Sequence, residues 1–367
     1  MKVSLTQENL HKALASVSRV VGSRTTLPVL ANVLLKTDAN RLKLSTTNLE
    51  MGINYWIGAK VEAEGSLTVP ARLLGEYVAS LPSDTIQLGV DKQALKITAN
   101  HYQSVINGID PEEFPTIPNI VAEPLLTVAS DTFRNALSQV VLVASSDDAR
   151  PVLNGIYLYT EKDELYIVAT DSYRLAERKI KLTNPPKDDI KVIVPARTMQ
   201  ELLRMLGDTT SQLEVVVDEN QVMFRFESVE LISRLIDGQF PNYRQLIPES
   251  TPTFFKIDTS EFINIAKVAS LFARENAGSV TLTLDTAKSL VRIRSIASQV
   301  GENTSEATVE TSGEDAEVAL NCRYILDALS VVKTPQVTFG VTGKINPCLL
   351  RPVGEENYLH VIMPLRS

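Results

Sequence analysis

Apolar residues recur along this chain in two rhythms that take turns. Leu10, Leu14, Val17 and Val21 fall at the three-and-four spacing of an amphipathic helix. The same spacing returns at Phe133, Leu137, Val140 and Val141, and again at Phe262, Ile265, Ala266 and Ala269. Asp131 and Ser260 stand where the N-caps of the second and third of these helices are expected. Alternating segments follow polar turns: Leu42-Lys43-Leu44-Ser45, Leu165-Tyr166-Ile167-Val168 and Val291-Arg292-Ile293-Arg294 read as strands. A second helical pattern comes next. It is marked by Leu73, Leu74, Tyr77, Val78 and Leu81, then by Met199, Leu202, Leu203 and Leu206, then by Ile325, Leu326, Leu329 and Val332. Pro70 and Pro195 sit at helix starts, where a missing N–H costs nothing. Further alternating stretches, Leu213 to Phe226 and Val337 to Leu350, close the later copies.

The pattern therefore occurs three times in 367 residues. Local sequence marks the same period. Val69-Pro70-Ala71-Arg72 returns as Val194-Pro195-Ala196-Arg197 and, more loosely, as Asn321-Cys322-Arg323. Phe114-Pro115, Phe240-Pro241 and Met363-Pro364 form a second series, and Pro28-Val29-Leu30 matches Pro151-Val152-Leu153. The period is too long for a solenoid unit and fits three small domains of one fold. Pro-containing, weakly patterned stretches at Ile120–Pro124 and Pro248–Pro252 place the boundaries, giving domains 1–121, 122–250 and 251–367. Strands outnumber helices, so each domain is expected to be α+β, with two helices packed on one face of antiparallel sheets.

Composition changes this picture little: 44% apolar and 22% charged residues are ordinary for a globular protein. The net charge of −8 argues against a protein that coats nucleic acid everywhere, but allows a local basic surface within an acidic shell. Met1 to Leu10 holds no apolar run of signal-peptide length, and no stretch is long enough for a membrane helix. Cys322 and Cys348 fit neither a metal spacing nor a disulfide framework. A cytoplasmic location is the expectation.

Catalytic motifs are missing. His11, His101 and His360 lie in different repeats with no recurring partner, there is no Gly-x-Ser-x-Gly elbow, and Gly343-Lys344 lacks the rest of a phosphate loop. Asp147-Asp148 and Asp188-Asp189 read either as exposed loop acids or as a pair of Mg²⁺ sites of a nuclease. No metal and no cofactor are expected.

The helices are rich in cations: Lys12, Arg19, Arg134, Lys267 and Arg274 on the first set, Arg72, Arg197, Arg204, Arg323 and Lys333 on the second. Arg72, Arg197 and Arg323 recur at a helix N-terminus, the wrong end of the helix dipole for a positive charge. Two readings stay open. One is an i,i+4 ion pair with Glu76, Glu201 and Asp327, in the weaker orientation and contributing about 0.2–0.5 kcal/mol. The other is contact with phosphate groups of a duplex. Twelve helices of a dimer, each ~10 Å across and set side by side, would enclose a hole of roughly 28 Å, wider than duplex DNA. A scaffold that binds peptides and never DNA is a third possibility.

Several separated segments, in order, carry a family resemblance: Arg24-Thr25-Thr26-Leu27-Pro28-Val29-Leu30, Leu153-Asn154-Gly155, Ala169-Thr170-Asp171-Ser172-Tyr173-Arg174-Leu175, Asp237-Gly238-Gln239-Phe240-Pro241-Asn242-Tyr243 and Val361-Ile362-Met363-Pro364-Leu365-Arg366. On these the whole chain resembles the bacterial DNA polymerase III beta subunits, the replicative sliding clamps. The resemblance implies three clamp-type domains in a head-to-tail homodimeric ring around duplex DNA, bound without regard to sequence. It implies a processivity factor with no catalytic site of its own and no cofactor. Its partners would be the polymerase III catalytic subunit, an ATP-driven clamp loader, and other polymerases and repair proteins carrying short Gln-containing, apolar motifs.

The same resemblance assigns residues. A peptide pocket would be formed by Leu153, Thr170, Tyr173, Arg174, Leu175, Pro241, Leu246, Val361, Ile362, Met363, Pro364, Leu365 and Arg366. Such a pocket makes physical sense as an apolar groove with a few polar fixers, and Met363 suits a site that adapts to several ligands. DNA contacts fall to Arg24 by resemblance and to Arg72, Arg197 and Arg323 by the helix argument. The dimer contact would bring Ile106 against Leu271 and Phe272. The chain also departs from the family. Ser172-Tyr173 stands where Gly-His is frequent, Gln245 stands where an Arg is frequent, and Asp147, Pro151 and Val152 occupy a loop that in some members touches DNA through a Gln and two Tyr.

Overall fold

The computed structural model describes residues 1–22, 27–207, 209–299 and 301–365. Six α-helices occur among them: α1 (Gln7–Val17), α2 (Ala71–Ala79), α3 (Ser130–Val140), α4 (Ala196–Leu206), α5 (Thr259–Ala273) and α6 (Cys322–Ser330). Their positions follow the three-fold pattern, but their ends need correcting. α1 stops at Val17, so Val21 lies beyond it and Val20 is the buried residue of the following turn. Leu81 and Val332 likewise lie past the ends of α2 and α6. Ser260 is not a cap: Asp258 is the N-cap of α5, its carboxylate accepting from the Ser260 and Glu261 amides at 2.9 and 3.2 Å. A carboxylate satisfies two orphan amides at the positive end of the dipole, which a hydroxyl does less well. Asp131 sits inside the first turn of α3, where its charge also complements the dipole.

The chain forms two compact units. One is Met1–Asp131 with Gln200–Leu235, the other Thr132–Met199 with Ile236–Ser367. The cut falls inside α4 because the sheets do not stop at the ends of the repeats. In the first unit, Met51–Gly58 pairs with Val229–Arg234, so strands of the first and middle repeats share one eight-stranded sheet beside a five-stranded one. In the second unit, Arg174–Lys181 pairs with the C-terminal strand Tyr358–Ile362, so middle and third repeats share a nine-stranded sheet beside a four-stranded one. Every strand pairing found among the described residues is antiparallel, as the hairpin-rich pattern requires.

The sequence rhythm fixes which faces are buried. In the second unit, Phe262, Ile265, Ala266 and Ala269 of α5 and Ile325, Ala328 and Leu329 of α6 join Phe255, Phe339 and Ile362 in one core. Phe255, Phe262 and Phe339 meet there with ring centres 5.4–5.8 Å apart. Each such side chain contributes about 1.5–3 kcal/mol by leaving water. The C-terminal strand lies between Arg174–Lys181 and Cys348–Pro352, burying Tyr358 through Ile362. The apolar run Tyr358–Ile362 is thus an interior strand with both edges paired.

Candidate peptide groove and nucleic-acid interface

A tight turn organises the candidate groove. The Thr170 hydroxyl donates to Arg174 O at 2.8 Å and accepts from the Ser172 amide at 3.2 Å. Asp171 Oδ1 accepts from the Tyr173 and Arg174 amides at 2.9 and 3.0 Å. Two short polar side chains therefore impose the turn on the backbone. Its crest, Ser172, is held at φ 76°, a left-handed conformation that favours glycine. Ser172 therefore holds the crest under backbone strain.

The turn presents neighbouring side chains oppositely. Tyr173 stands 61% exposed, while Leu175 is buried. Met363 N donates to Tyr173 O at 2.8 Å, extending the pairing of the last strand up to the turn. Below, Leu175 and Val361 pack with Tyr159, Tyr166, Phe240, Tyr243 and Leu349 in a compact apolar cluster. Leu153 is buried at the end of a short 3₁₀ turn, Pro151–Leu153. Pro241 is exposed, and Leu246, Met363, Pro364 and Leu365 are half-buried. Leu365 N is fixed by Ala319 O at 2.8 Å. Arg366 lies outside the described residues.

Arg174 ties the groove together. Its guanidinium, buried, donates to Asp171 Oδ2 at 3.1 Å, to Asp327 Oδ2 on α6 at 2.5 Å and to Leu142 O at 3.2 Å. It also lies 4.6 Å from the centre of the Tyr324 ring. A planar fork reaches all of these partners at once, and a lysine could not.

A recess of about 420 Å³ opens beside this hub. Of the expected peptide residues it takes Leu153, Tyr173 and Arg174. Among the residues it adds that sequence reasoning missed are Arg150, Asn321 and Tyr324. Arg150 Nη1 donates to Ser172 Oγ at 3.0 Å, bracing the strained crest. Asn321 and Tyr324 carried only a helix-start signal in the sequence, since nothing local shows that α6 begins at this recess.

Buried polar groups stiffen the apolar cluster. Tyr243 donates to Glu177 Oε2 at 2.5 Å, and the Tyr159 and Tyr243 hydroxyls meet at 2.6 Å. Burial, reinforced by the Glu177 charge, pushes the Tyr243 phenol far above its ordinary value, so it remains a donor. Arg244 pairs with Glu161 and donates to Tyr159 Oη at 2.9 Å.

The cations divide. Arg72 is paired with Glu76 at 2.8 Å and Arg323 stands 3.9 Å from Asp327, so the ion-pair reading holds for the first and, weakly, for the third. Arg197 is exposed and has no ion pair among the described residues, while Glu201 is held by Arg204. Arg323 also lines the recess beside Tyr173. Arg24 lies outside the described residues.

Of the expected dimer residues, Ile106 is buried within its own unit. The exposed apolar positions of its strand, Tyr102–Asn107, are Tyr102 and Val105. That strand is an edge of the five-stranded sheet, and Gly301–Thr308 is an edge of the four-stranded one. Leu271, on α5, is exposed, and Phe272 half-buried. The first acidic pair is engaged locally: Asp147 Oδ1 accepts from Ala149 N and Asp148 Oδ1 from Asn154 Nδ2, both at 3.0 Å. Among the described residues no three His, Cys, Asp or Glu gather as metal ligands, and no helix is long and apolar enough to cross a membrane.

Comparison with known proteins agrees with this geometry over the full length. Residues 1–118, 127–242 and 244–366 match the N-terminal, central and C-terminal domains of the DNA polymerase III beta subunit. The beta sliding clamp of Bacillus subtilis is 30% identical over 378 residues, covering 100% of both chains. That of Synechococcus elongatus is 31% identical over 372 residues, covering 100% of this chain and 99% of the other. The crystal structure of the Bacillus subtilis clamp superposes with a TM-score of 0.95 at 29% identity, covering 100% and 99% of the two chains. The Pseudomonas aeruginosa DNA polymerase III subunit beta gives 0.95 at 28% identity with both chains fully covered. Three successive domain matches, in order and without a gap longer than a linker, mean that the chain belongs to the DNA polymerase III beta subunit family of sliding clamps.

Proposed function

We propose that the chain serves as the cytoplasmic processivity clamp of a bacterial replicase. Two copies close head to tail around duplex DNA, and the ring holds the polymerase at the primer end. The observation that carries this reading is the run of three clamp domains, in order, along the chain. Retention by a closed ring requires no base contact and little affinity. The domain limits 1–121, 122–250 and 251–367 are proposed as the units of that ring.

Closure joins an edge strand of one chain to an edge strand of the next, a heterologous contact that repeats until the ring shuts. The exposed Tyr102, Val105 and Leu271 support these edges as the contact. Arg72 and Arg197 are proposed to meet the phosphates, and Arg24 with them. Arg323, beside Tyr173, is proposed to serve the groove as much as the duplex.

Polymerase, loader and repair proteins are proposed to dock at the Thr170–Arg174 turn. An apolar side chain of the incoming peptide would rest on Leu175 and Val361, while Tyr173 and Met363 would close over it. Exposure of Tyr173 above a buried floor supports this: such a ring covers area at low entropic cost. The test is synthesis on a primed circular template with a bacterial replicative polymerase and its loader. Product length should rise sharply on adding the protein and fall back with Tyr173→Ala. Equal product length with and without the protein, with a working loader, would overturn the reading.

A further inference from the structure

The turn that organises the groove has a second copy in the first repeat. At Thr47–Met51 the Thr47 hydroxyl donates to Met51 O at 2.9 Å and accepts from the Leu49 amide at 3.0 Å. Asn48 Oδ1 accepts from the Glu50 and Met51 amides at 3.0 and 2.9 Å. Its crest, Leu49, has φ 75°, against 76° at Ser172. The strand that follows pairs with Val229–Arg234 in the same register, Met51 opposite Ser233 and Gly52 opposite Ile232, as Arg174 and Leu175 stand opposite Ile362 and Val361. Even the closing bond recurs: Arg234 N donates to Glu50 O at 3.0 Å, as Met363 N does to Tyr173 O at 2.8 Å.

A recess of about 380 Å³ lies at this second turn, bordered also by Pro115, the counterpart of Pro241. Three features mark it as a binding site. Leu49, held in a conformation that a branched apolar side chain rarely adopts, is 51% exposed at its mouth. Gln221 lines it, and its Oε1 is buried without a hydrogen-bond partner. Arg234, at its rim, is exposed with no ion pair among the described residues. The floor is apolar: Ile117 lies so close to Gly52 that a Cβ there would stand 2.9 Å from its Cγ2, and Ile232 is buried beside them.

We propose that this recess is a second peptide groove, which takes a short extended segment of a partner protein bearing an aliphatic residue next to an acidic one. The aliphatic side chain seats on Ile117, which covers Gly52 and packs against Ile232, a peptide N–H donates to Gln221 Oε1, and the carboxylate meets Arg234. Glu50 and Arg234 replace Tyr173 and Met363, so the two grooves select different peptides and a clamp can hold two partners per chain. The inference rests on reading the Thr170–Arg174 turn as a peptide site.

Methyl-labelled full-length protein separates the two grooves, because Ile117 and Ile232 report on one and Val361 and Met363 on the other. The probes are acetyl-Ala-Leu-Asp-Ala-amide and acetyl-Gln-Leu-Ala-Leu-Phe-amide. The first should shift Ile117 and Ile232 saturably, and Arg234→Glu, on an exposed side chain, should weaken that binding about tenfold. Unchanged affinity in Arg234→Glu would overturn the proposal. So would a response to the second probe at Val361 and Met363 with none to either at Ile117 and Ile232. No response at either set to either probe would overturn both grooves.

Discussion

Arg174→Ala removes the tie between the Thr170–Arg174 turn and α6. The substitution strips three acceptors of their donor: Asp171 Oδ2 at 3.1 Å, Asp327 Oδ2 at 2.5 Å and Leu142 O at 3.2 Å. Breaking a buried ion pair from one side costs about 3–5 kcal/mol, because the abandoned charge stays desolvated. Asp171 is well covered, with a side-chain exposure of 16%, but Asp327 is 31% exposed and water will partly solvate it. The lower end, about 3 kcal/mol, is therefore expected. Trp56 lies in the other unit, so tryptophan fluorescence would not report the loss. Native-state hydrogen exchange reads it locally: amides of Arg174–Lys181 should exchange about 150-fold faster. Arg174→Lys keeps the charge without the fork and should recover only part of the protection. Exchange within about threefold of the parent in Arg174→Ala would refute the reasoning.

Four further outcomes follow from the same structure. Burial, with Arg174 adding to it, pulls the His360 imidazole down to about 3, so the unfolded chain takes up a proton that the folded chain refuses. That contribution is whole above the ordinary value of 6.5 and is lost toward pH 3, by up to about 1.4 kcal/mol per pH unit; denaturant titrations should show a shallower decline in His360→Gln. Burial pushes the thiols of Cys322 and Cys348 up to about 11 and about 12, so neither should react with an alkylating reagent at neutral pH until the protein is unfolded. Gly155→Ala should destabilise by about 1–3 kcal/mol in thermal unfolding, since its Cβ would stand 2.3 Å from Ile193 Cγ2 inside the sheet. Arg197→Glu should lower the slope of log DNA affinity against log salt by about 1 per lost phosphate contact, and an unchanged slope would remove it from the interface.

The sequence was legible where period and burial coincide. Phe262, Ile265, Ala266 and Ala269 were readable as one helix face because that face is wholly buried. Helix ends were less so: Asp258 outcompetes Ser260 as a cap through its charge, which spacing alone does not rank. Sheet continuity was not legible at all, since the pairing of Arg174 with Ile362 joins residues far apart in sequence, and no local pattern encodes it. For the same reason the lining of the recess beside Arg174 is legible only in part. Thr170, Arg174 and Leu175 sit in a recognisable segment, whereas Arg150, Asn321 and Tyr324 reach the recess through tertiary packing. Ile106 shows the limit of resemblance: its strand has the exposed edge, but its own side chain points inward and Val105 points out. The second groove was hidden for another reason. Thr47-Asn48-Leu49-Glu50-Met51 shares only its Thr with Thr170-Asp171-Ser172-Tyr173-Arg174, and its likeness lies in hydrogen bonds.

The central claim is that the protein holds DNA by encircling it. Protein should be loaded onto nicked circular DNA by a compatible loader and ATP, moved into high salt, and then challenged by cutting the circle. Electrostatic binding falls steeply with salt, whereas a closed ring is indifferent to it. The account predicts that protein survives salt on the circle and runs off once the DNA has ends. Equal loss from circular and linear DNA in high salt, with the loader shown to be active, would contradict it.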